Sequence, residues 1–362
     1  MVTPSRITLA RKRRGLTLAE LSDRTGVSLQ SLSNYETGRT APRTDTLDKI
    51  ASALDFPADF FEGAPLDELP AAGISWRARS KTSARVLEAA RAAGTLGAML
   101  YDWIDEKFRL PAVDVPSLGK PDPETAADMV RTRWNLGEAP APNMVHLLEA
   151  HGVRVFSLDP DHAEVDAFAV WRDGTPFVFL NTLKSAERGR FDAAHELGHL
   201  VMHGSEHACA GPEAERQANE FASAFLMPRA SVLGHMPSGA HVDQILKAKR
   251  IWNVSAMALT YRMHDLGLLS DWQYRSTCAE LSRLGYRSAE PQGMEQRETS
   301  QVLTKVFTAL RSKHIRPSSV AAELGLTSEE MNRLLFGLTL TTFTGEGQHT
   351  ADHTKRSLYA LP

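Results

Sequence analysis

The sequence predicts a mainly helical chain of the α+β class, with an all-helical unit first, a mixed unit holding a small sheet next, and a helical C-terminal region. Three observations carry this expectation. Residues 5–61 alternate short apolar-periodic stretches with turn signals, residues 152–180 hold three short segments of strand composition, and most of the rest spaces its apolar residues by three and four. With 362 residues and 42% hydrophobic content there is material for two or three cores.

In the first unit, Thr17 with Glu20 three residues on is a helix-start signal, and Gly26 is a stop. Ser28 starts the next helix. Leu18, Leu21 and Leu32 then pack two helices across a glycine turn, a helix-turn-helix. The second helix leaves Gln30, Ser31, Ser33 and Asn34 facing away from that packing, short polar groups suited to base edges or phosphates. The local charge is basic: Arg6, Arg11, Lys12, Arg13, Arg14, Arg24, Arg39 and Arg43 stand against Glu20, Asp23 and Glu36. That supports binding to double-stranded DNA, although the whole chain, with 41 Lys plus Arg and 44 Asp plus Glu, has a net charge of -3. The run from Ser28 to Pro42, continued from Leu47 to Phe61, resembles the Cro/repressor class known as the XRE family. The resemblance implies DNA contacts from Gln30, Ser31, Ser33, Asn34 and Arg39, and by analogy a homodimer on two half-sites. Leu18 departs from the pattern, standing where many members have a phosphate-bracing Gln. The bland alternative is a small helical domain that binds protein.

Residues 63–73 have linker composition. Ile74–Arg79 reads as a short extended segment, and Thr82–Phe108 as an Ala-rich helix with a core-facing stripe of Leu87, Ala90, Leu96, Leu100, Trp103 and Ile104. Helical pattern returns at 123–134 and 143–150. Residues 152–158, 167–171 and 176–180 read as strands, the last two joined by Arg172-Asp173-Gly174-Thr175 as a hairpin. Asn181 and Arg188, beyond the sheet, read as a capping residue and a surface-pairing residue.

The helix over 191–203 contains His195-Glu196-Leu197-Gly198-His199. Four-residue spacing puts both imidazoles on one helix face, where they can hold one cation such as zinc, while a carboxylate beside a metal-activated water can take its proton. A third protein ligand is needed. A third His ten residues after the first is ruled out because Ser205 stands there and Met202 replaces the expected Gly. Glu215 on the helix 212–228 can complete the set, with Asn219 one turn on orienting a ligand from behind; Glu206 and His207 in the loop compete with it. For Glu213, Glu215 and Glu220 a solvated helix face is the bland alternative. His203 reads as a hydrogen-bonding neighbour rather than a ligand.

Together, residues 194–203 and 215–228 resemble the ImmA/IrrE family of zinc metallopeptidases. The resemblance implies a zincin-like metallopeptidase domain, with His195, His199 and Glu215 as zinc ligands, Glu196 as the catalytic base, and a sheet beside the site that holds a peptide by strand addition. Tyr261, Arg262 or His264, on a helical stretch spanning 242–269, are candidates for stabilising the oxyanion.

Residues 306–338 are helical in pattern, and 320–336 echo the helix-turn-helix rhythm. Glu329 and Glu330 on its second helix would repel phosphate, so packing is the expected role there. The expected units are thus 1–65 (helix-turn-helix), 66–118 (linker and connector), 119–285 (metallopeptidase-like) and 286–362 (helical region and tail). Only Cys209 and Cys278 are present, and there is no signal-type or membrane-spanning apolar run, which suits a cytoplasmic protein without a membrane partner. The function expected is a DNA-binding regulator whose zinc peptidase cuts a protein such as a repressor. The alternative is a regulator whose zinc domain is a sensor or partner platform without turnover.

Overall fold

A computed structural model describes residues 1–71, 73–78, 82–119, 121–158, 164–204, 211–287 and 289–339. Glu206, His207, Cys209 and the tail from 340 onward lie outside the described residues. Within them the chain is mainly helical with one small sheet, as the sequence predicts.

The N-terminal unit is four helices, α1 (Pro4–Arg13), α2 (Leu18–Thr25), α3 (Leu29–Glu36) and α4 (Thr44–Leu54), closed by a 3-10 turn (Ala58–Glu62). Thr17 and Glu20 form the reciprocal capping box at the start of α2, and Gly26 ends it in the left-handed region at φ 67°. Ser28 then caps α3 through Ser31 N–H.

Strand β1 (Ser75–Ala78) and the long helix α5 (Ala84–Lys107) follow, then α6 (Pro123–Arg133) and α7 (Met144–Ala150). Next come β2 (Arg154–Ser157), β3 (Val165–Arg172) and β4 (Thr175–Leu180). The sheet order is β1-β3-β4-β2, with β4 antiparallel to β3 and parallel to β2. Asp173 and Gly174, at φ 50° and 76°, make the tight β3–β4 turn.

One sheet face is aromatic. Trp76, Phe168, Phe179 and Phe156 stand in neighbouring register across the four strands. Helix α5 lies on that face at a glycine notch, since a Cβ on Gly94 would come within 3.0 Å of the Phe168 ring and one on Gly97 within 3.0 Å of the Phe179 ring. The opposite face takes α8 (Ala186–Met202), toward which Arg77 of β1 points to reach Asp192.

Helices α9 (Pro212–Leu226) and α10 (Arg229–His235) come next, followed by α11 (Val242–Trp252), α12 (Ala256–Asp265) and α13 (Asp271–Arg283). The single helical stretch expected over 242–269 is therefore two helices. Asn253, in the left-handed region at φ 53°, ends α11, and Ser255 caps α12.

The C-terminal region is α14 (Gln301–Ser312), α15 (Pro317–Glu323) and α16 (Ser328–Leu335). Its helix-turn-helix echo packs inward. Glu330 on α16 is fully buried, 2.5 Å from Arg13 Nε and 2.7 Å from Arg14 Nη1 on α1. At its other end the region grips α8, through Glu298 paired with Arg190 at 2.5 Å. Among the described residues no helix is long and apolar enough to cross a membrane.

Removing one partner of a buried ion pair leaves a charge without compensation, at a cost of about 3–5 kcal/mol. Glu330→Ala is expected to lower the denaturation midpoint accordingly. Adding Arg13→Met and Arg14→Met should recover much of that loss, which urea unfolding followed by circular dichroism will measure.

Candidate metal centre and nucleic-acid interface

Helix α8 begins at Ser185, whose Oγ accepts from Arg188 N–H, and runs buried through its C-terminal half. It packs closely on α9 because position 198 is glycine: a Cβ there would lie only 3.0 to 3.2 Å from the Phe221 side chain. That approach brings Glu215 to the histidine face of α8. His195 Nε2 and His199 Nε2 lie 3.1 Å apart, and the Glu215 carboxylate is 3.4 Å from the first and 3.2 Å from the second.

The hydrogen bonds behind the ring settle the tautomers. Asn219 Nδ2 donates to the Glu215 carbonyl at 2.8 Å, so its Oδ1 accepts, and it takes the His195 Nδ1–H at 3.1 Å. His203 Nε2–H donates to Gln217 Oε1 at 2.9 Å, so His203 Nδ1 accepts from His199 Nδ1–H at 3.0 Å. Each ligand-side Nε2 therefore presents a lone pair. Burial drives the His195 imidazole down to about 3, which keeps it neutral. Two lone pairs and a carboxylate facing each other repel unless a cation sits among them. A tetrahedral zinc with donors at about 2.0–2.1 Å would space them roughly 3.3 Å apart, close to the separations observed. The residues present fit zinc.

Glu196 is fully buried, and neither carboxylate oxygen has a hydrogen-bond partner. Burial raises its carboxyl well above the ordinary value, against the pull of Arg77. Beneath it, the buried Asp192 is also raised by burial and opposed by Arg77 and Lys184.

His203 is thus a hydrogen-bonding neighbour of His199. Arg262 is buried and held by Met227 O, Glu124 and Asp265, while His264 pairs with Asp271, so neither faces the site. Tyr261 does line the adjoining cavity. Asn181 is a structural residue, its amide bonding Val165 O and Leu183 N–H. Arg188 departs from expectation: its side chain is exposed and makes no pair among the described residues.

Sequence reasoning missed Arg77, Asp192 and Gln217. Asp192 sits four residues before Glu196, so helical spacing was a usable signal for it, whereas Gln217, two after Glu215, lies off that face and had none. Arg77, whose guanidinium lies 3.1 Å from Asp192 and 3.4 Å from Asn219 Oδ1, arrives from β1 and left no local signal.

On the N-terminal unit, Gln30 is exposed and Ser31, Ser33 and Asn34 are half-buried on α3, with Gln30 Nε2 donating to Asn34 Oδ1. Much of the local positive charge is spent internally. Arg6 bonds Phe60 O and Ala64 O, Arg11 pairs with Glu36, and Arg13 and Arg14 pair with Glu330. Arg24, Arg39 and Arg43 stay exposed without ion pairs among the described residues.

A helix-turn-helix unit ahead of a unit built round a His-Glu-x-x-His helix is the architecture of a regulator carrying a peptidase-like domain. Residues 7–61 match the helix-turn-helix family, and residues 148–264 match the IrrE N-terminal-like domain of the M78 peptidases, so the chain joins an XRE-type helix-turn-helix domain to an IrrE-like domain. No curated protein matches it.

Hydrogen bonds from behind a ligand typically account for 10- to 100-fold in metal affinity. Asn219→Ala, which frees the His195 ring, is expected to weaken zinc binding within that range in competition with a chromophoric chelator.

Proposed function

We propose that the protein is a DNA-binding regulator whose IrrE-like domain is a zinc-dependent peptidase that cuts a regulatory protein such as a repressor. The observation that carries this reading is the pair of lone-pair-bearing Nε2 atoms and the Glu215 carboxylate converging beside the unpartnered, buried carboxylate of Glu196. A platform for partner binding alone has no need of that orphaned carboxylate.

His195, His199 and Glu215 would hold zinc, which when bound makes water a nucleophile near neutral pH and polarises a carbonyl. Glu196 takes the proton of the attacking water on its free carboxylate and passes it to the departing amide nitrogen. Its raised affinity for a proton suits the acceptor role, and its burial keeps bulk water from competing. Asn219 and His203 hold the two imidazoles in their tautomers. Strand β1 borders the site, and its edge away from β3 has no paired strand among the described residues, which suits an extended peptide aligned by strand addition. Tyr261 is the remaining candidate donor to the oxyanion.

On the DNA side, Gln30, Ser31, Ser33 and Asn34 of α3 approach base edges, and Arg39 a phosphate, in a dimer of the XRE kind acting in the cytoplasm.

Glu196→Gln is expected to lower cleavage on the order of 10²- to 10⁴-fold while zinc content by mass spectrometry stays at the wild-type level. Proteomics comparing cells with wild type and this variant identifies the cut protein. Regulation that continues unchanged in the zinc-loaded variant would remove the peptidase reading. Arg39→Ala should flatten the slope of log affinity against log salt by about one unit on any DNA sequence.

A further inference from the structure

We propose that the cavity beside the metal centre is a subsite for an acidic side chain, so that the protein selects peptides carrying Asp or Glu next to the bond to be cut. This rests on the peptidase reading and names its substrate class.

The cavity has a volume of about 620 Å³, within the range of sites that hold a ligand. Its lining includes Asn219, which holds His195 Nδ1, and Arg77, which bonds that same Asn219 oxygen, and it continues along α9. Glu215, Asn219 and Ser223 are spaced by four and so share a helix face. That stripe leads from the donor ring into the cavity lining. Ser223 is 3% exposed, and its Oγ has no hydrogen-bond partner among the described residues. A buried hydroxyl left unsatisfied in a cavity wall is a group waiting for a polar ligand.

The charge in the lining is one-sided. Its two carboxylates are already engaged: Glu187 accepts from Met294 N–H, and Glu290 is bound by Lys249 at 2.8 Å and by Ala256 N–H at 2.9 Å. Arg77, Lys184 and Arg216 are answered by Asp192, Asp166 and the pair Glu213 and Glu220. Arg188, from the first turn of α8, and Arg287, after α13, make no side-chain hydrogen bond or ion pair among the described residues, and Arg188 feels the Asp192 carboxylate only at a distance. Two guanidinium groups at one cavity with their donor forks unengaged match a carboxylate. Phe191, Met257 and Tyr261 supply an apolar wall for the carbon stem that bears it. A peptide added to the β1 edge would send every second side chain to the Arg77 face, which is the cavity side.

The test uses the full-length zinc-loaded Glu196→Gln protein and fluorescent extended peptides that differ only by Glu or Gln at each position in turn. Binding is read by anisotropy. Glu is expected to bind roughly tenfold tighter than Gln at one or two positions. In Arg188→Ala/Arg287→Ala the ratio should fall to near one, in the double Lys variant it should partly return, and in the double Glu variant it should invert. Both side chains are exposed, so the fold tolerates these changes. Equal binding of Glu and Gln peptides everywhere, or a preference that survives the double Ala variant, overturns the assignment. Competition by free glutarate as effective as that of the Glu peptide also overturns it, marking a small-anion site instead. Cleavage of the same peptides by the wild-type chain separates the two readings. Acidic preference in binding with no cleavage removes the peptidase and keeps the subsite, whereas cleavage that ignores Glu against Gln removes the subsite alone.

Discussion

The close contact of α8 and α9 at Gly198 is the constraint on which the centre depends. A side chain at that position would meet the Phe221 side chain at 3.0 to 3.2 Å and require it to give way, on the same helix that carries Glu215. Helix spacing can place two donors on one face, but only the packing distance between two helices places the third. The aromatic face of the sheet plays the same part for α5, where Gly94 and Gly97 let the helix settle on Phe168 and Phe179. Both of these contacts are thus made possible by absent side chains. The rigidity this provides matters because a donor ring must hold its separations to a few tenths of an ångström.

Behind the ring, a second set of groups converts geometry into chemistry. Asn219 and His203 each accept an imidazole N–H, and each is locked in that role by a bond on its far side, to Glu215 O and Gln217. Arg77 links this set to the sheet edge through Asp192, which ties the strand that would align a peptide to the helix that bears the donors. The cation that would compensate Glu196 is therefore held slightly apart from it, which leaves the carboxylate both buried and free.

What was legible in the sequence was what is local. Local spacing located α8 and α9 and put His195 and His199 on one face, while Glu215 was singled out by the family resemblance; Asp173-Gly174 located the hairpin; Thr17 with Glu20 located the start of α2. What was not legible depends on chain segments far apart. The parallel pairing of β2 with β4 and the arrival of β1 at the other edge are set by packing on α5 and α8. The charge count of the first unit pointed to DNA binding, but it could not tell which arginines are spent inside the fold. Arg13 and Arg14 were claimed by a glutamate more than three hundred residues away, which no local pattern announces. The break at Asn253 was hidden because a single polar residue is ordinary within an amphipathic helix, although Asn tolerates the left-handed backbone that ends α11 here.

The C-terminal region holds α8 through Glu298, just ahead of α14, and α1 through Glu330 of α16. This has a consequence for how such a protein can evolve. A helix-turn-helix unit exchanged for that of another regulator would arrive without the partners of Glu330, and a shortened gene would take that carboxylate away from the buried Arg13. Arg13, Arg14 and Glu330 must therefore change together, and descendants that recombine the two halves will carry matched substitutions at both ends of the chain.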